Sequence, residues 1–419
     1  MKKSNLFLVI LMALIVMSCS KDETTMSIPQ ESNAIEFGTY VGRDAQTRAS
    51  ITDLAALQKE NVGFGVFAHY TGTTAYGTPA TTPNFMYNQQ VKWNTTASPN
   101  AWSYTPVKYW PNNDGDKVSF FAYAPYSGSS QNNISDFTGN TATGDPTLKF
   151  TVNGTVKEQT DLVWGVNETG GLPFLNQTKQ TIGGDIKFTF KHALARIGFN
   201  VEAMVDLVNG QATGDDDSNT GNGTTDGATK IVVTQVQLIG KFYNSGVLNL
   251  NSTVTGTSPN IVSVPNWGTY LPETLGDRTF TLNANTTDAN SNFKTSTAVT
   301  PGVSASIFGQ NVTNSLAQLN ADDSYLMVIP QNFASTEKIK IKVTYDVLTE
   351  DTSLDTGQSK VTNVIESIPF NFNFDHGKAY SFNLHLGLTS VKFSAEVAEW
   401  DPVNPGTVVN VPINTGTNP

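Results

Sequence analysis

A mostly β fold, arranged as two sandwiches in series, is what this 419-residue chain predicts, and three observations carry that prediction. Apolar residues recur at every second position in run after run, which is the period of a half-buried strand. Aromatic residues reach 10% and charged residues only 15%, with Thr, Asn, Ser and Gly abundant. That composition suits strands and turns and is too aromatic for a disordered chain. Beyond one short stretch, no segment carries the helical period. The length allows two domains of ordinary size, each with its own core.

The first residues read MKKSNLFLVILMALIVMSCSKDE. Lys2 and Lys3 precede an unbroken apolar run from Leu6 to Met17. The run is too short to span a bilayer comfortably and ends in small residues, as a secretory signal does. Val16-Met17-Ser18-Cys19 resembles the lipobox of bacterial lipoproteins. The resemblance implies a signal peptide over residues 1–18, cleavage before Cys19, and acylation of its thiol and new amino group. Ser20-Lys21-Asp22-Glu23 resembles the charged signal that sends such lipoproteins to the outer leaflet of the outer membrane. Several acyl chains on one residue anchor firmly, because each buried CH₂ contributes roughly 0.8 kcal/mol. Cys19 is the only cysteine, so no disulfide can form within the chain.

Asp and Glu number 36 against 25 Lys and Arg, giving a net charge of −11. This argues against nucleic acid as a partner, which calls for basic patches. Residues 19–33 are polar, carry Pro29, and read as a tether. Ile35, Phe37, Thr39 and Val41 then alternate with Glu36, Gly38 and Tyr40, a strand that closes before the polar segment 43–48. Thr52–Gln58 offers a capping residue and good helix formers, so a short helix is expected there. A strand resumes at Val62, Phe64, Val66 and Ala68. Residues 85–126 hold the densest aromatic cluster, including Trp93, Trp102 and Trp110. Core packing is the expectation for these rings, with an exposed carbohydrate platform as the alternative.

Ile186, Phe188 and Phe190 mark a strand, and the division between an N-terminal domain (34–184) and a C-terminal domain (185–401) is placed beside it. Residues 210–229 are almost free of apolar side chains and read as a surface insertion. Further strands are legible at Val232–Leu238, Gly246–Leu250, Ile339–Tyr345, Phe370–Phe374, Phe382–Leu388 and Val391–Val397. Their alternation with polar partners favours antiparallel sheets with one wet face. Past Trp400 a proline-rich hinge leads into a tail, 402–419, in which Val409, Val411 and Ile413 would point one way.

A set of short segments, in order along nearly the whole chain, resembles the fimbrillin family of Bacteroides-type bacteria. They are Lys108-Tyr109-Trp110-Pro111 with Phe120-Phe121-Ala122-Tyr123-Ala124-Pro125, Asp161-Leu162-Val163-Trp164, and Phe190-Lys191-His192-Ala193-Leu194-Ala195-Arg196. Val328-Ile329-Pro330-Gln331, His376-Gly377-Lys378-Ala379-Tyr380 and Val397-Ala398-Glu399-Trp400 complete the set. The resemblance implies transthyretin-like sandwiches and a role as a pilus building block whose partners are other pilin subunits. It also implies that an arginine-specific protease cuts between Arg48 and Ala49. The cut removes strand 34–48 and frees a groove for a donor strand, for which Val409, Val411 and Ile413 are candidates.

Chemistry is sparse by comparison. Four histidines (His69, His192, His376, His385) lie far apart without metal-ligand spacing. His385 is expected on a solvated strand face, and His192 and His376 in structural hydrogen bonds. No Walker A loop, nucleophile elbow or dinucleotide fingerprint is present. The reading is therefore no enzyme and no cofactor. Asp215, Asp217, Asn219 and Asp226 echo a calcium loop at offsets 1, 3, 5 and 12. The glycine required at offset six is Thr220, so a solvated insertion is expected there.

Overall fold

The computed structural model describes residues 33–41, 57–59, 62–77, 80–179, 185–203, 206–207, 211–212, 229–256, 261–271, 278–285, 293–294, 305–308, 326–333, 337–387, 391–399 and 407–410. Along the chain the strands begin with β1 (Glu36–Val41), β2 (Phe64–Gly72), β3 (Met86–Asn94), β4 (Ala101–Ser103) and β5 (Lys117–Ala124). Next come β6 (Ile134–Ser135), β7 (Thr147–Thr151), β8 (Val163–Val166), β9 (Phe174–Gln177) and β10 (Asp185–His192). The chain continues through β11 (Ala195–Ala203), β12 (Asp206–Leu207), β13 (Gln211–Ala212), β14 (Thr229–Gly240), β15 (Ser245–Thr255) and β16 (Val262–Leu271). It goes on through β17 (Arg278–Asn285), β18 (Phe293–Lys294), β19 (Ala305–Phe308), β20 (Leu326–Val328) and β21 (Gln331–Phe333). The last are β22 (Lys340–Glu350), β23 (Gln358–Glu366), β24 (Phe372–Phe374), β25 (Lys378–Leu386), β26 (Val391–Glu399) and β27 (Thr407–Asn410).

The protein is mostly β, as its alternating runs require. The first sheet has the order β1-β10-β8-β5-β2-β3-β4, with β9 also on β5. Both faces of its centre are covered. Phe64, Val66, Phe120, Ala122 and Phe188 pack on one side, while Phe67, Phe121, Tyr123 and Trp164 enter a larger core on the other. This is why Phe120–Ala124 runs without a polar alternation: a strand buried on both faces has no polar side to alternate with.

Two further sheets, β19-β11-β25-β26-β27 and β18-β17-β14-β22-β23, share the larger core. Ile339, Ile341, Val343 and Tyr345 are fully buried, as are Phe382, Leu384 and Leu386, so the period-two readings of these strands hold. In β14 a bulge between Val233 and Gln235 resets the pleat. Val233 and Val236, three residues apart, thereby both reach the core.

One sequence expectation is corrected. Pairing is not antiparallel throughout: β1 runs parallel to β10, and β11 parallel to β25. The long crossovers that parallel pairing requires leave no local signal to read. Residue 185 opens β10, which lies inside the first sheet between β1 and β8. A cut before residue 185 would therefore separate β10 from its partners β1 and β8, because a strand's own periodicity does not name its sheet. Strands also cross that division, since β7 pairs with β15 in the sheet β16-β15-β7-β6. Residues 52–56 of the expected helix lie outside the described residues; Leu57 at its end is fully buried. Of the insertion, residues 210 and 213–228 lie outside them as well.

Candidate functional site: a groove filled by the first strand

Among the described residues β1 is an edge strand, paired only with β10, in the register Glu36↔Asp185 through Val41↔Phe190. Its alternation puts Ile35 (1% exposed) and Phe37 (7%) against the sheet. The Phe37 ring sits 5.2 Å from Tyr104 and 6.2 Å from each of Phe64, Phe120 and Phe188, lying nearly flat on the last. Burying those two side chains stabilises the docked strand by about 3–6 kcal/mol before entropy costs, at roughly 1.5–3 each.

Tyr104 closes one end of the groove. Its hydroxyl donates to the Ile35 carbonyl at 2.8 Å and accepts from the Lys108 amide at 3.2 Å. The Ile35 amide in turn donates to the Lys108 carbonyl at 2.9 Å. Burial raises the Tyr104 pKa, opposed by its backbone hydrogen bond at Lys108, so the hydroxyl keeps the proton it donates. This clasp joins residues 69 apart in sequence, and no local pattern announces it.

Several predicted site residues, Cys19, Arg48, Ala49, Val411, Ile413, Asp215, Asp217, Asn219 and Asp226, lie outside the described residues. Among the described residues no cluster of metal-ligating side chains is found. Two of the chain's four arginines are placed. Arg196 sits within β11, paired on both sides to Met327 and Ala379. Arg278 opens β17, where its guanidinium donates to the Val152 and Tyr243 carbonyls, both at 3.1 Å, over the Phe280 ring. Val409 lies in β27, which closes the edge of its own sheet antiparallel to β26, Ala395↔Val409.

The aromatic cluster is mainly core. Trp110 is 2% exposed, Phe120, Phe121 and Tyr123 are fully buried, and Trp93 and Trp102 are half-buried against each other. Tyr109, at 60%, and Tyr87, at 40%, are the exposed rings of the cluster. His192 Nδ1 meets Asp161 at 2.9 Å in full burial, and His376 Nε2 lies 3.1 Å from the Ser263 carbonyl. Burial lowers the His376 pKa, partly offset by that hydrogen bond. His385 departs from expectation: it is half-buried, with Nδ1 3.0 Å from Glu202, its partner across β11 and β25.

A cleft of about 590 Å³ gathers three of the sequence segments singled out above, through Trp164, Lys191, His192, His376 and Lys378. Trp164 is 1% exposed, so it offers a rim rather than a stacking platform.

A profile described as fimbrillin-like matches residues 47–400. Fimbrium subunit Fim1C of Phocaeicola vulgatus is 30% identical over 404 residues, covering 93% of this chain and 94% of that protein. In structure, the chain is similar to a crystallised fimbrial protein from Bacteroides vulgatus, with a TM-score of 0.60 and 24% identity over 88% of this chain and 99% of the other. With a match over most of its length and a β architecture to carry it, the chain belongs to the fimbrillin-like family.

Proposed function

We propose that this protein is a structural subunit of a surface fimbrium. It is exported as a lipoprotein anchored through Cys19 to the outer membrane, cut between Arg48 and Ala49 by an arginine-specific protease, and assembled with other subunits by strand exchange in support of adhesion. Its relative from Phocaeicola vulgatus carries the name of a fimbrium subunit. The observation that carries the mechanism is β1: among the described residues an edge strand whose ladder runs to β10 alone, buried by Ile35 and Phe37 in an aromatic groove, and followed directly by the arginines at 43 and 48.

Removing such a strand exposes unpaired backbone groups of β10 together with apolar surface, and β-augmentation by another strand repairs both. The candidate donor is the tail from 402, with Val409, Val411 and Ile413. Its β27 is already paired to β26, so donation first breaks that short edge ladder. In this reading the chain is two β-sandwich domains in series, and it needs no cofactor and catalyses nothing. The experiment is digestion of the 20–419 protein with an arginine-specific protease, followed by N-terminal sequencing and an unheated denaturing gel. A new N-terminus at Ala49 with heat-sensitive ladders is expected, and a bond at Arg48 that resists in the folded protein would sink the trigger.

A second reading, a permanently anchored surface lipoprotein holding a glycan or host ligand, rests on the cleft beside Trp164 and His376. Such a protein would keep residues 20–48 and stay monomeric.

A further inference from the structure

The groove under β1 is not a generic apolar slot, and its shape bears on which strand can replace β1. At one position it is walled by the rings of Phe64, Tyr104, Phe120 and Phe188 around Phe37. Close-packed ring walls do not collapse onto a smaller side chain, so an aliphatic residue there leaves a void. One residue further on, the outward position faces only the stem of Lys187, whose side chain is 72% exposed and free to move aside, so selection rests on the ring-walled position alone. Beyond Trp400 the chain has no aromatic residue at all, and its apolar side chains are Val403, Val408, Val409, Val411 and Ile413. Pro412 also lacks the amide that a ladder with β10 would use.

We propose that the groove selects a strand of the pattern aliphatic, any residue, aromatic. Its preferred occupant is then an aromatic-bearing strand of a different subunit rather than the tail of a second copy of this chain. The inference rests on the strand-exchange reading above and assigns Phe37's position as the specificity-determining one. It makes the subunit a poor acceptor for its own kind.

The test uses the full 20–419 chain, nicked after Arg48, or at a protease site inserted over residues 44–48 if that bond resists. Fluorescent peptides are titrated in and followed by anisotropy: residues 33–42, the same peptide with Phe37→Val, residues 405–416, and that tail peptide with Val409→Phe or Val411→Phe. The native peptide is expected to enter, with Phe37→Val and the tail each weaker by about tenfold or more, and with one of the Phe-bearing tails recovering affinity. A tail peptide that binds as tightly as 33–42, or a Phe37→Val peptide unchanged in affinity, would overturn the specificity while leaving strand exchange standing. Failure of the native peptide itself to enter would remove strand exchange and this inference together.

Discussion

His69 and Tyr104 are two residues whose surroundings change their chemistry in ways that can be tested. His69 is fully buried, its Nδ1 3.1 Å from Thr81 Oγ1 and its ring edge-on to Tyr76 and Phe121. Burial lowers its pKa to about 4, against the opposing pull of Asp145 and Thr81. The unfolded chain therefore binds this proton more readily, near pH 6.5, than the folded one does. The stability His69 contributes is complete above that pH and is lost as pH falls from about 6.5 towards 4, by up to roughly 3 kcal/mol. Urea midpoints measured across that window should fall for the native chain, with a shallower slope in His69→Gln. For Tyr104, replacement by Phe keeps the ring against Phe37 and removes the link between Lys108 and Ile35. A loss of about 1–3 kcal/mol is expected in urea unfolding, together with faster amide exchange at the start of β1.

Among the elements, β1 and β10 set the protein's exposure to proteases. A protease needs an extended, unpaired stretch, and such stretches lie in loops. Arg196 is bonded into β11 on both sides, and Arg278 is fixed by the Val152 and Tyr243 carbonyls. Brief arginine-specific digestion of the folded protein should therefore leave both bonds whole and confine cleavage to Arg43 and Arg48. Peptide mass mapping reads this directly, and early cleavage at Arg196 would refute it. A second consequence concerns retention. After the cut, β1 is held by its ladder to β10 and by Ile35 and Phe37, so the N-terminal fragment should co-elute with the body on gel filtration until a competing strand is added.

Over the whole molecule, residues Ile35–Pro419 form one compact unit. The larger core draws on Phe67 and Phe121 from the first sheet and on Phe382 and Leu384 from near the C-terminus. Leu148 and Phe150, on β7, are buried in that core, and β7 pairs with β15. A fragment ending at 193 would expose them along with an unpaired strand edge, a combination that promotes association. Fragment 33–193 should accordingly elute as soluble aggregate or fail to accumulate, whereas the full chain unfolds in a cooperative transition. A monomeric 33–193 with dispersed amide resonances would show that the halves fold separately.

What the sequence determined by itself is the local part: the β class, the strands whose alternation is clean (β1, β22, β25), and the burial of the aromatic segment around Trp110 and Phe120. These follow from side-chain periodicity and area, which short windows carry. The ordered segments from Lys108 to Trp400 were legible enough to point to the family. Only the tertiary structure decided that β1 runs parallel on β10, that β10 belongs to the first sheet, and that Tyr104 reaches Ile35. It alone put Phe37 among rings from β2, β5, β10 and the β4–β5 connection, and brought Trp164, His192 and His376 to one cleft. Those are pairings between residues far apart in the chain, fixed by the closing of long crossovers and the filling of a shared core, and no local run of side chains encodes them.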